Sequence, residues 1–63
     1  MYVLTVHYPD ERRPRATHTA RAAGEVFGLI LRLRGEHGGC ERIEVAMGDQ
    51  KLFAVDCAGK TLP

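Results

Sequence analysis

Apolar and polar positions along this chain follow two different periods, and the order of those periods predicts the architecture. Tyr2, Leu4, Val6 and Tyr8 alternate with Val3, Thr5 and His7, the period-two pattern of a half-buried strand rich in β-branched and aromatic residues. Pro9-Asp10 then opens a turn, and the run to Pro14 is charged and has no apolar anchor, so it reads as a loop. Arg15 to His18 gives only a weak strand signal. Whether it returns to complete an N-terminal hairpin stays open.

From Ala20 to Arg34 the period changes. Advancing about 100° per residue, Ala20, Ala22, Ala23, Val26, Phe27, Leu29, Ile30, Leu31 and Leu33 fill an arc of roughly 200°, with Arg21, Glu25 and Arg32 on the opposite side. Thr19 is the expected N-cap, with Thr17 as the alternative. Gly35 is expected to end the helix as its C′ residue, where Arg32 and Arg34 offset the negative end of the dipole. Gly24 and Gly28 leave a smooth strip that another backbone could approach closely. An apolar arc this wide exceeds what one sheet face covers. The surplus is expected near Leu29, Ala22 and Leu33, capped by a loop or left for a partner such as a second copy.

The last third alternates again, as a hairpin with Ile43, Val45 and Met47 on one face of its first arm and Phe53, Val55 and Cys57 on one face of its second. Directly opposed residues must share a face. Pairing Val45 with Phe53 and Ile43 with Val55 meets that condition, sets Arg42 opposite Asp56 and leaves Gly48-Asp49-Gln50 as the loop. A two-residue Gly48-Asp49 turn would instead pair Val45 with Leu52 and break the pattern. The three-residue loop lacks the usual glycine at its third position, so a bulge near Gln50 is the adjustment to expect. Ala58 to Pro63 is expected to fray. The resulting expectation is an α+β fold over a single domain, 1–63. It has an antiparallel sheet of three or four strands in β(β)αββ order, with one helix packed on one face.

Composition narrows this picture in three ways. A chain of 63 residues buries only about 60% of its unfolded surface, so one small core is its limit. No apolar run approaches the roughly 20 residues of a membrane span, and none reads as a signal peptide. A cytoplasmic location without membrane association is therefore expected, where a reducing environment would keep Cys40 and Cys57 as thiols. In the hairpin register above the two cysteines are not directly opposite, which disfavours a cross-strand disulfide and leaves only a diagonal one open. Net charge is +1 but uneven: +3 from Met1 to Arg34 and −2 from Gly35 to Pro63.

Candidate chemistry is sparse. His37 and Cys40 have the spacing of half a zinc site, with His18 and Cys57 as the remaining candidates, yet structural zinc normally shows two paired half-sites. A polar loop histidine beside a half-buried thiol is the plainer account, and no metal or other cofactor is expected. Either cysteine with a histidine is the one available nucleophile–base pair, and nothing in the sequence orients it, so an enzyme is not expected. His37-Gly38-Gly39 follows a helix, whereas phosphate cradles precede one. The arginines could serve nucleic acid, although a sequence pI of about 7.9 falls short of a dedicated binder.

Glu36-His37-Gly38, Arg42-Ile43-Glu44, Gly48, Leu52-Phe53-Ala54 and Gly59-Lys60, set in this layout, resemble the small single-domain anti-CRISPR proteins built from a sheet and one helix. The resemblance implies a non-enzymatic inhibitor from a phage or mobile element. Such a protein binds protein subunits of an RNA-guided surveillance complex and blocks target DNA by steric occlusion. The expected function is thus a protein-binding inhibitor or adaptor whose partner is a protein or nucleoprotein complex. Arg12, Arg13, Arg15, Arg21, Glu25 and Arg32 are the candidate contact residues, because exposed arginines are the strongest interface anchors among them. The alternative is a nucleic-acid-binding accessory protein using Arg12, Arg13, Arg15 and Arg21.

Overall fold

The computed structural model describes residues 1–62, and its elements follow the two periods of the sequence with two additions. Strand β1 is Tyr2–His7, β2 Ala16–Ala20, helix α1 Ala23–Glu36, β3 Arg42–Met47, β4 Gln50–Asp56 and β5 Thr61–Leu62. All pairings are antiparallel, in the spatial order β2-β1-β3-β4-β5. The sheet thus has five strands, not three or four, in the order ββαβββ. The open question at Arg15 to His18 resolves as a strand, because Ala16, His18 and Ala20 fall opposite Val6, Leu4 and Tyr2 and share their face. At the other edge, part of the tail expected to fray forms β5, which pairs Leu62 with Ala54 and Thr61 with Val55. Pro63 lies outside the described residues.

The helix begins later and ends later than its periodicity suggests. Thr19 and Ala20 are drawn into β2, opposite Val3 and Tyr2, so Thr19 cannot cap. Ala22 takes the N-cap position and offers no side-chain acceptor. Glu25 compensates: its carboxylate accepts the Arg21 backbone N–H at 3.0 Å and places negative charge in the first turn, where the dipole favours it. At the other end Gly35 stays helical, and the His37 N–H closes the last turn on the Leu33 carbonyl at 2.8 Å. The left-handed conformation appears at Gly39, φ 91°, within the turn that carries the chain to β3.

One face of the sheet is sealed by a narrow stripe of the helix, Val26, Ile30 and Leu33, packed on Leu4, Val6, Ile43, Val45 and Val55. The apolar surplus lies elsewhere than expected. Leu33 is fully buried and Leu29 half-buried, while Phe27 and Leu31 are 68% and 63% exposed.

The β3–β4 hairpin reconciles two readings that exclude each other in sequence. Its turn is the two-residue Gly48-Asp49, with Met47 opposite Gln50, yet Val45 still faces Phe53, Ile43 faces Val55 and Arg42 faces Asp56. A bulge makes this consistent: Ala46 pairs with Lys51 and Val45 with Phe53, so Leu52 has no opposite residue. Gly48 has φ 61° and Asp49 a negative φ, the pattern of a type II′ turn, whose twist suits a two-residue hairpin.

Cys40 and Cys57 form a disulfide with their Cα atoms 5.7 Å apart, which corrects the expectation of two free thiols. It is the diagonal arrangement, since both cysteines lie just beyond the last strand pair, Arg42 with Asp56. A link across 17 residues is worth roughly 3 kcal/mol in the chain-entropy account, a large fraction of what so small a core supplies. Arg34 adds a second tie from the helix, donating from Nε to the Cys57 carbonyl at 3.3 Å and from Nη2 to the Ala58 carbonyl at 2.8 Å. The turn it grips contains Gly59, φ 93°, where a Cβ would sit 2.6 Å from the Arg34 guanidinium. Glycine is needed there for conformation, and a side chain at this position would also push the Arg34 guanidinium off the turn. Asp56 holds the same turn from inside, its Oδ1 accepting the Ala58 and Lys60 N–H groups at 2.9 and 2.8 Å.

Ile30 stands at the centre of the helical stripe and is 5% exposed. Its replacement by alanine should cost about 2–5 kcal/mol and unfold much of the population near ambient temperature. A thermal melt by circular dichroism checks this.

Candidate functional site

The six candidate contact residues fall into three separate places. Arg12, Arg13 and Arg15 sit at the end of the molecule formed by the β1–β2 loop. Arg21 lies beyond the far end of β2, between that strand and the helix, and Glu25 is in the first helical turn beside it. Arg32 is on the solvent side of α1, paired at 3.6 Å with Glu36 one turn on. Arg21 therefore does not join Arg12, Arg13 and Arg15 in one basic patch.

The loop end is the most organised of the three. Arg15 stacks its guanidinium over the Tyr8 ring, 3.6 Å from the centroid, and pairs through two nitrogens with the Glu11 carboxylate. The hydrogen bond and charge of Glu11, together with Tyr8, hold the Arg15 guanidinium still more firmly in its charged form. Tyr8 is fixed in turn by a hydrogen bond between its hydroxyl and His37 Nδ1, 3.1 Å, with the rings edge to face. The backbone locks the same loop, the Arg15 N–H donating to the Val6 carbonyl at 2.8 Å and the Glu11 N–H to that of Tyr8 at 3.2 Å. Arg12 and Arg13 project from this scaffold exposed, and among the described residues neither has an acidic partner. The Tyr8–His37 contact joins residues 29 apart, and nothing in the local sequence signals it.

A second polar constellation, not anticipated from sequence, occupies the sheet face that the helix leaves open. Thr5 faces Glu44 and His7 faces Arg42 across the β1–β3 pair. Glu44 is the hub: Arg42 Nε donates to its Oε2 at 2.6 Å, Lys51 Nζ lies 3.7 Å from that oxygen, and His7 Nε2 lies 3.8 Å from Oε1. Arg42 also donates from Nη1 to Glu41 at 2.5 Å, and His7 Nε2 shares a 3.0 Å hydrogen bond with the Thr5 hydroxyl. The Arg42 hydrogen bond holds the Glu44 carboxyl below the usual carboxylate range, with partial desolvation opposing it and the charges of Arg42, His7 and Lys51 adding to it. Arg42 is raised by the same pairing. Each cation here has a carboxylate, so the cluster knits strands together and leaves no uncompensated charge for a ligand.

The third surface is a shallow groove of about 260 Å³ between α1 and the β4–β5 edge, lined by Phe27, Leu31, Arg34, Phe53, Gly59 and Thr61. Phe27 and Phe53 stack across it with centroids 6.4 Å apart. Of the candidates for a zinc site, Cys40 and Cys57 are joined in the disulfide and His37 is bonded to Tyr8. Among the described residues no three His, Cys, Asp or Glu side chains gather as a metal site, and no helix is long and apolar enough to cross a membrane.

The Glu44 network makes a pH prediction. A carboxyl whose folded pKa is depressed contributes stability that is complete above the ordinary value, about 4.3, and is lost as the pH falls through the folded value. Acid denaturation of the parent should therefore include a component that Glu44→Gln removes, flattening the acid limb of stability against pH while lowering stability at neutral pH. Urea denaturation from pH 2.5 to 7 measures both. No protein-family model, curated protein or solved structure matches the chain.

Proposed function

We propose that this chain is a non-enzymatic protein-binding domain that acts by occupying a partner's surface, as an inhibitor of the anti-CRISPR type would. The observation that carries the reading is the β1–β2 loop. Arg15, locked on Tyr8 and Glu11, fixes the loop so that Arg12 and Arg13 are presented unpaired on a rigid base. Pre-ordered arginines bind at a lower entropic cost than mobile ones, and their planar forks pair bidentately with carboxylates. The partner surface implied is acidic, on a protein or nucleoprotein complex. Occlusion then needs only a folded body of this size, with principal extents of 29 × 22 × 21 Å, held over the surface a target must reach.

The same loop suits phosphate, which keeps a nucleic-acid-binding accessory protein as the second reading. Arg21 at the far end of β2 weakens it, because only three arginines then share one surface. The test adds purified protein to RNA-guided surveillance complexes of several types and measures target-duplex binding, alongside binding to the free duplex. The proposal expects the parent to bind one class of complex and block its target with no affinity for free duplex near physiological salt. Arg12→Ala/Arg13→Ala/Arg15→Ala should fold and lose the block. Duplex binding with a steep salt slope, lost in the triple variant, would transfer the function to the nucleic-acid reading.

A further inference from the structure

Helix α1 turns toward solvent a face that the fold does not use. Gly24, Gly28, Leu31 and Gly35 follow one another at spacings of four, three and four residues, the repeat of a two-helix seam, and all four are exposed. At about 100° per residue this seam lies nearly opposite the buried stripe of Val26, Ile30 and Leu33, with Phe27 along one border. Leu31 and Phe27 are two of the most exposed large apolar side chains in the protein. Within 4 Å of where a Cβ would stand at each of the three glycines there is nothing, so the face alternates one projecting leucine with open gaps.

We propose that a second copy of this chain occupies the face, with the two α1 helices packed antiparallel about a two-fold axis. The seam reads the same in both directions about its midpoint between Leu29 and Ile30. Antiparallel packing sets Leu31 of each copy into the gap at Gly28 of the other, and Gly24 against Gly35. The charges on the border away from Phe27 agree with this direction. Glu25 and Arg32, both exposed on that border, stand two residues out of exact opposition in this register, about 3 Å along the axis, which their side chains span to give two equivalent ion pairs alongside the Glu25 cap on Arg21 and the Arg32–Glu36 pair. A parallel arrangement would instead stack Leu31 on Leu31 and forgo those pairs. With one leucine per copy at its centre and one phenylalanine at its border, the interface belongs to the small, weak class, so dimerisation is concentration-dependent.

Sedimentation equilibrium on the intact protein, from micromolar to about 1 mM, reads the association. The expected result is a monomer–dimer equilibrium that Leu31→Glu abolishes without changing the circular dichroism spectrum, since Leu31 supports no part of the core. Gly28→Ala separates association from folding. The added methyl has open space in the monomer and should raise its melting temperature, while filling the gap that Leu31 needs and weakening the dimer about tenfold or more. Glu25→Arg and Arg32→Glu should each weaken association, and the double variant should recover most of it. A monomer across the whole range, a dimer indifferent to Leu31→Glu, or a double variant no better than its parents would overturn the proposal. So would saturation of the face by an unrelated helix with no effect on self-association.

Discussion

Three side chains of one helix, Val26, Ile30 and Leu33, close the apolar face of a five-stranded sheet, and the rest of the molecule is arranged around how little that contact covers. Each fully buried side chain of this kind contributes roughly 1.5–3 kcal/mol, against an ordering entropy of about the same total size as all burial combined. Ties at the margins therefore matter more than they would in a larger domain. The disulfide binds the segment before β3 to the end of β4, Arg34 carries the helix onto the same turn, and Asp56 and Gly59 let that turn accept it. All of them act at the β4–β5 end, where β5 contributes only two residues of ladder.

The same narrowness explains which parts of the fold the sequence reveals. Alternation in Tyr2 to Tyr8 and in the last third is strong because core positions there are large, and the register of Val45 with Phe53 follows from face-sharing alone. The helix ends are misread because Thr19 and Ala20 have two competing fates. Pairing with Val3 and Tyr2 extends the β1–β2 ladder and buries Ala20, whereas a cap would satisfy one amide. Strand β5 is invisible because two residues cannot show a period. The turn at Gly48-Asp49 is legible only together with the bulge at Leu52, since either alone puts the hydrophobic set on the wrong face. Cys40 and Cys57 meet through the diagonal beyond the last strand pair, which a strictly opposed pairing rule passes over.

Candidate surfaces were less legible than the fold. Charge counting marks Arg12, Arg13 and Arg15 but cannot tell that Arg15 is committed to Tyr8 and Glu11 while its neighbours project freely. Nor can it place Arg21 at the opposite end of β2. The Glu44 network assembles from three strands, and its members are ordinary outward-facing residues until β1 and β3 are known to be adjacent. Periodicity finds the excess of apolar surface on α1 but assigns it to the wrong side, because the helix axis is rotated to bury Leu33 rather than Phe27.

Amide hydrogen exchange, resolved residue by residue in the oxidised protein, tests this account of the core most directly. Strands β1 and β3 are each flanked on both sides and carry Leu4, Val6, Ile43 and Val45, all fully buried. Their amides should exchange most slowly, near the global unfolding limit, with the inner turns of α1 next and β2 and β5 fastest among the strands. Protection greatest in β4 and β5, or β1 amides that exchange as fast as those of the edges, would contradict it.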